Sequence, residues 1–159
     1  MAWEPHVTVA AVIEKDGKYL IVEEKSEGRI VFNQPAGHVD GNETLAQATL
    51  REIREETGWE VTLESVLGIY VYTSPTNGVT YYRICFVAKP VAEIPGAELD
   101  TDIIRALWMS EDEIRAAKDK LRSPMVLKSL DDFKTKPRIP LDFIYELHPD
   151  GWLTHVEND

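Results

Sequence analysis

The sequence carries one cysteine, Cys85, in 159 residues. No disulfide can therefore close within the chain, and the setting of Cys85 in the apolar run ICFVA reads as a core thiol, not a nucleophile. Long apolar runs are also missing. No segment approaches the roughly 18 residues of a membrane span, and the opening MAWEPHVTVA has no basic region followed by an apolar stretch. A cytoplasmic protein with no membrane partner is the expectation. Positive charge is scarce: 17 Lys and Arg against 28 Asp and Glu give a net charge of −11. Affinity for long nucleic acids comes largely from basic side chains displacing counterions around phosphates, so no nucleic-acid polymer is expected as a partner. There is no internal repeat and no low-complexity linker. His6, beside Pro5, has no second histidine at ligand spacing and reads as a capping or packing residue. With 43% apolar residues, the length suits one domain over 1–159, as a monomer or homodimer.

What the sequence does have is concentrated between Gly37 and Trp59, GHVDGNETLAQATLREIREETGW. A glycine-led loop runs into a predicted helix with clear ends: Thr44 with Gln47 three residues on forms a capping-box pair, and Gly58 stands where a left-handed residue would stop the helix. At about 100° per residue, Glu52 and Glu56 lie about 40° apart and Glu52 and Glu55 about 60° apart, so three carboxylates share one arc. Like charges this close raise one another's pKa, a cost that a bound divalent cation turns into a gain. Ala46, Leu50, Ile53 and Thr57 form the opposite stripe and are expected to be buried. Gly37 lets the backbone turn tightly and bring its carbonyl to a cation. Glu43 and Arg51 carry opposite charges near this helix and are expected to pair, tying loop to helix.

These residues match the Nudix box at every defining position: Gly37, five residues, Glu43, seven residues, then Arg51, Glu52, apolar Ile53, one free residue, Glu55, Glu56, one free residue, Gly58 and apolar Trp59. Seven fixed identities at about 5–10% usage each make a chance match in a given window on the order of 10⁻⁸. The chain therefore resembles the Nudix hydrolases. An acidic solvated helix would account for Glu52, Glu55 and Glu56 alone but not for the glycines and the spacing.

Around this stretch the pattern alternates between strands and helices. Residues 6–24 read as a hairpin turning at Asp16-Gly17, and IVFNQPAGHV as a short strand interrupted by Pro35. Two further strands flank the turn at Pro75–Gly78, and another ends near Trp108. Ser110 with Glu113 opens a helix to about Leu121, and Ser123 with Pro124 opens a second. Residues 136–159, with three prolines and scattered aromatics, read as an ordered strap over the domain whose last residues, THVEND, fray. This order gives α/β or α+β. The resemblance implies the Nudix fold itself, a mixed β-sheet sandwiched between α-helices.

The resemblance further implies that Gly37, Glu52, Glu55 and Glu56 hold Mg²⁺ or Mn²⁺, and that a phosphoanhydride of a small phosphorylated substrate is hydrolysed. The base is open among Glu52, Glu55 and Asp102, the last being the loop position six before Trp108 that resembles the acidic residue other members bring over the metals. Asn33, Gln34, His38, Tyr81 and Arg83 are candidate substrate contacts, although each has an alternative as a packing, backbone-bonding or surface residue. Eight of the 17 basic residues lie between Arg115 and Arg138, either a positive surface that draws in an anion or the solvent faces of two helices. PHVTVA, NQPAGH and the RSP at Arg122–Pro124 resemble the NudJ-type phosphatases of the family. That group is described as removing orthophosphate from hydroxymethylpyrimidine pyrophosphate, thiamine pyrophosphate and nucleoside tri- and diphosphates. The alternatives are a Nudix pyrophosphatase acting on ADP-ribose, dinucleotide or oxidised-nucleotide substrates, and a non-catalytic nucleotide-binding regulator.

Overall fold

A computed structural model describes residues 2–149 and 151–153. Its centre is β1 (His6–Lys15), whose run TVAAVI (Thr8–Ile13) is buried on both faces. A strand of this kind belongs in the middle of a sheet, covered above and below. On one side it pairs in parallel with β6 (Thr80–Glu93), and on the other it pairs antiparallel with β4 (Ala36–His38) and then, nearer its end, with β2 (Lys18–Ser26). The Asp16-Gly17 turn joins β1 to β2, with both residues at positive φ. β2 also pairs with β3 (Arg29–Asn33) and with β7 (Ile103–Ser110), and β6 pairs with the long β5 (Trp59–Thr73). Pro35 separates β3 from β4, as the sequence suggests, because it cannot donate to a ladder.

Alternate residues of β1 feed two cores. Val9, Ala11 and Ile13 face α1 (Leu45–Thr57), joining Leu50, Ile53, Val66 and Phe86. Ala10 and Val12 face the other way, toward Ile114 of α2 (Glu111–Ala116) and Val126 and Leu130 of α3 (Met125–Thr135). The result is a mixed sheet between helices. The helix expected to reach Leu121 stops at Ala116, and a 3₁₀ turn at Lys118–Lys120 follows. Both predicted capping boxes form completely, at Thr44/Gln47 and Ser110/Glu113, and Met125 donates its N–H to Ser123 Oγ across Pro124.

Beyond α3 the chain returns across the α1 face. Ile139 exchanges backbone hydrogen bonds with Val66 (2.8 and 3.1 Å), while Ile139, Leu141 and Ile144 pack on the first core. A short hairpin, β8 (Glu146–His148) with β9 (Gly151–Leu153), follows, and the Glu146 carboxylate accepts from Leu45 N–H at the start of α1 (3.0 Å). An acid is favourable there because the first amides of a helix point outward unsatisfied. The segment expected to fray, 154–159, lies outside the described residues.

Candidate active site

The box helix is fixed at both ends before any functional group is placed: Thr44 caps its first turn, and Gly58, at φ 71°, turns the chain out of its last. Its C-terminal half then presents carboxylates in three directions around Glu52. A residue at Glu55 lies about 60° to one side of Glu52 and one at Glu56 about 40° to the other, so these two diverge by about 100°. Their surroundings differ accordingly. Glu52 and Glu55 meet Asp100, and one ligand oxygen from each of the three lies within 4.8 Å of the others. Glu56 turns inward, is buried, and accepts the Ala36 N–H at 2.9 Å. Burial raises Glu56 to about 9, with Glu24, Glu52 and Asp100 adding to the rise against that hydrogen bond. Burial likewise raises Glu52, with Arg51 opposing and Glu55 and Asp100 reinforcing.

Arg51 organises the exposed side of the same cluster. It forms a two-pronged pair with Glu43 (3.0 and 2.6 Å), contacts Glu52 (2.7 Å) and Glu55 (3.3 Å), and donates to the His38 carbonyl (3.0 Å). The Glu43–Arg51 pair read from the sequence thus joins loop, helix and β4. Hydrogen bonding to Arg51 lowers Glu43 although burial opposes it, and Arg51 is raised in turn, mainly by Glu43. Gly37 lies directly against Glu52: a Cβ added there would fall 2.2 Å from the Glu52 carboxyl carbon. No other residue fits without displacing a carboxylate of the cluster.

The loop carboxylate that the fold brings to this cluster is Asp100, not Asp102 as the spacing from Trp108 suggests. Asp100 N–H donates to the Glu55 carbonyl at the end of α1 (2.9 Å), and its own carbonyl accepts from Ile103 in a tight turn. Asp102 lies within that turn with an exposed side chain, and its carbonyl accepts from Lys25 of β2 (2.9 Å). Two residues of loop decide which acid reaches the site, and the sequence offered no signal of where the turn falls.

Beside the cluster, and sharing Ala36 and Gly37 with it, lies a cavity of about 290 Å³. Its walls include Thr8, Asn33, His38, Tyr72, Tyr81, Arg83 and Arg122, and the two hairpin turns 26–29 and 74–77 border it. Thr76 Oγ donates to Glu27 across these two turns (3.0 Å). Of the expected substrate contacts, Asn33, His38, Tyr81 and Arg83 line this cavity. Gln34 does not: its amide donates to the Ala11 carbonyl (3.3 Å) and Cys85 Sγ (3.4 Å), and its oxygen accepts from Ser129 (3.1 Å) and Arg83 (3.4 Å). It supports Arg83 from behind. Tyr70 is also occupied elsewhere, donating to Asp132 (2.8 Å).

His6, with no partner near it in sequence, meets His38 across the β1–β4 pairing, Nδ1 to Nε2 2.9 Å, and the rings of both contact Tyr81 edge-on. His38 is lowered by burial, by His6 and by Arg122. The basic segment divides into two parts. Arg115 pairs with Glu111 and Asp131, Lys134 with Glu111, and Lys128 and Lys136 with Asp132. The pairs of Arg115 and Lys134 lie on the helix surfaces, while Lys128 and Lys136 meet the buried Asp132. Arg122, paired with the buried Glu24, lines the cavity.

The sequence matches the NUDIX domain family over residues 4–130. It is 37% identical over 142 residues to Phosphatase NudJ of Escherichia coli K12, covering 89% of this chain and 92% of that protein. Among solved structures, a NUDIX hydrolase from Nitrosomonas europaea is 47% identical with a TM-score of 0.87, covering 89% of this chain and 96% of that one. A UDP-X diphosphatase at 18% identity and a TM-score of 0.69 shares the fold. Among the described residues no helix is long and apolar enough to cross a membrane.

Proposed function

Given that the chain belongs to the NUDIX family and is a Nudix hydrolase, we propose that it removes orthophosphate from small nucleoside or pyrimidine- and thiamine-type di- and triphosphates in a Mg²⁺-dependent reaction. The observation that carries this reading is the meeting of Glu52, Glu55 and Asp100 within 4.8 Å, beside a cavity whose wall holds Gly37 with Arg29, Arg83 and Arg122. Three hard oxygen donors, with the Gly37 carbonyl and Glu56 at their edge, suit Mg²⁺ or Mn²⁺. A bound ion of this kind neutralises phosphoryl charge and lowers the pKa of water. The chain's own groups do the rest. Arg51 bonds to Glu43, Glu52 and Glu55 and so orients their carboxylates. A carboxylate of the cluster, Glu52, Glu55 or the loop acid Asp100, accepts the proton of the attacking water; Asp102 is less well suited because its side chain lies outside the group. Asn33, Tyr81, His38 and Arg83 receive the substrate, with Gln34 bracing Arg83.

The name of the relative, Phosphatase NudJ, supports terminal-phosphate release over cleavage inside a dinucleotide, and a cavity of about 290 Å³ suits one ring and a phosphate better than two nucleosides. The test is product identification over a panel of nucleotides and thiamine-pathway diphosphates, with and without Mg²⁺. Orthophosphate is the expected product; a nucleoside monophosphate with pyrophosphate would favour the pyrophosphatase reading. Glu55→Gln should lower kcat at saturating Mg²⁺ by at least about 10²-fold, roughly 2.7 kcal/mol. Turnover near wild type in that variant would count against a reaction centred on the box.

A further inference from the structure

Four buried side-chain atoms have no hydrogen-bond partner among the described residues, and three of them, Arg83 Nε, Thr8 Oγ and Asn33 Oδ1, belong to residues on the wall of one cavity. Their coincidence has a topological cause. Thr8 and Arg83 are opposite one another in the parallel β1–β6 pairing, and Asn33 ends β3 just before the Pro35 break that brings Gly37 to the same place. Exposures of 7%, 4% and 2% for Arg83, Thr8 and Asn33 make orphaned groups here costly. Arg83 is the extreme case: it is a buried cation whose one side-chain hydrogen bond among the described residues, to Gln34, is 3.4 Å long. The acids whose charge acts on it, Glu56 and Glu24, are engaged elsewhere, Glu24 with Arg122 and Glu56 with Ala36 N–H. Buried charges persist when something pairs with them, and among the described residues no carboxylate forms an ion pair with Arg83.

We propose that Arg83, Thr8 and Asn33 form a subsite for a terminal phosphoryl group, the phosphate of the substrate that ends in free oxygens. The assignment rests on the phosphatase reading above and deepens it. Arg83 Nε offers a charged donor, and of the charged residues on the cavity wall three are arginines, Arg29, Arg83 and Arg122, against one acid, Glu27; with Arg122 paired to Glu24, Arg83 is the cation left to meet an anion. Asn33 Oδ1 is an acceptor and asks for a proton on that anion. A terminal phosphate, whose second pKa lies near about 6, can take up a proton near neutral pH and present O⁻ and OH together as its monoanion, whereas an internal phosphate diester has no such proton to offer. Thr8 Oγ can serve either role. The three orphaned groups thus distinguish the end of a polyphosphate from its middle, which is the choice between releasing orthophosphate and cutting within the substrate.

Free orthophosphate and the end of a substrate share this chemistry, so the experiment has two arms. In the first, calorimetric titration of inorganic phosphate into the whole protein in EDTA should show saturable binding near neutral pH. Arg83→Met should weaken it about tenfold or more, and Thr8→Val by a smaller factor. Sulfate, which has no proton at that pH, should bind more weakly than phosphate. In the second arm, with Mg²⁺, phosphate should compete with ADP, and Arg83→Met should raise the ADP KM and the phosphate Ki by similar factors. No phosphate binding by wild type, or unchanged affinity in both variants, overturns the subsite. A shifted Ki with an unchanged KM overturns its assignment to the substrate. Should the metal-dependent turnover itself be absent, the first arm still decides the subsite. Thr8→Val, an isosteric change, covers the case in which Arg83→Met fails to fold.

Discussion

At the scale of single residues, neighbours on one helix turn have unlike environments, and the chemistry divides along that line. Asp100 and Asp102 belong to the same tight turn, yet only Asp100 meets Glu52 and Glu55. Asp100→Asn should therefore lower kcat/KM by about tenfold or more, while Asp102→Asn should stay within about threefold of wild type. Steady-state kinetics on both variants would check this, and the reverse order would return the loop role to Asp102. Glu56 supports a pH prediction. Its pKa in the metal-free fold is raised from 4.5 to about 9, so the folded chain holds this proton more tightly than the unfolded chain does. The resulting stability is present in full below the unfolded value and is lost as pH rises toward the folded one. Glu56→Gln keeps an acceptor for Ala36 N–H but never ionises. In EDTA at about pH 8 it should melt about 3 °C or more above wild type, with the gap closing near about pH 4.5. A gap of equal size at both pH values would mean that ionisation of Glu56 is not its cause.

At the scale of elements, α1 is the part that the sequence describes most completely. Its cap pair, its left-handed stop and its buried stripe at Ala46, Leu50, Ile53 and Thr57 are all found where the 3.6-residue period puts them. Local chemistry is sufficient here because a capping box and a glycine stop depend on residues within a few positions of each other. Thr44→Ala removes the acceptor for Gln47 N–H and should cost about 1 kcal/mol, measurable as a lower denaturant midpoint with an unchanged slope. α2 ends earlier than expected, at Ala116. The Ser110 cap marks where it starts, but no glycine or proline in the sequence marks where it stops.

At the scale of the molecule, the return of the chain after α3 ties the ends of the fold together. Ile139 bonds to Val66, and Glu146 accepts from the first amide of the box helix. Ending the chain at Arg138 removes these contacts together with Leu141 and Ile144 from the first core. It should lower stability by about 2 kcal/mol or more, seen in urea unfolding; a truncated protein as stable as wild type would show that residues 139–159 contribute little.

By itself the sequence determined the box, its helix, the carboxylates on it and the Glu43–Arg51 pair, and through the box its resemblance to the Nudix hydrolases. Each of these is written in spacings of eight residues or fewer, short enough for backbone geometry to carry. Only tertiary structure decided which loop acid joins the cluster, that His6 meets His38, that Gln34 braces Arg83 instead of facing the cavity, and that Arg122 alone among its basic neighbours from Arg115 to Arg138 lines it. Those contacts cross separations of 32 to 98 residues, as in His6–His38 and Arg122–Glu24. They are set by strand pairing and by where turns fall, and a one-residue shift in either would send a different side chain to the site.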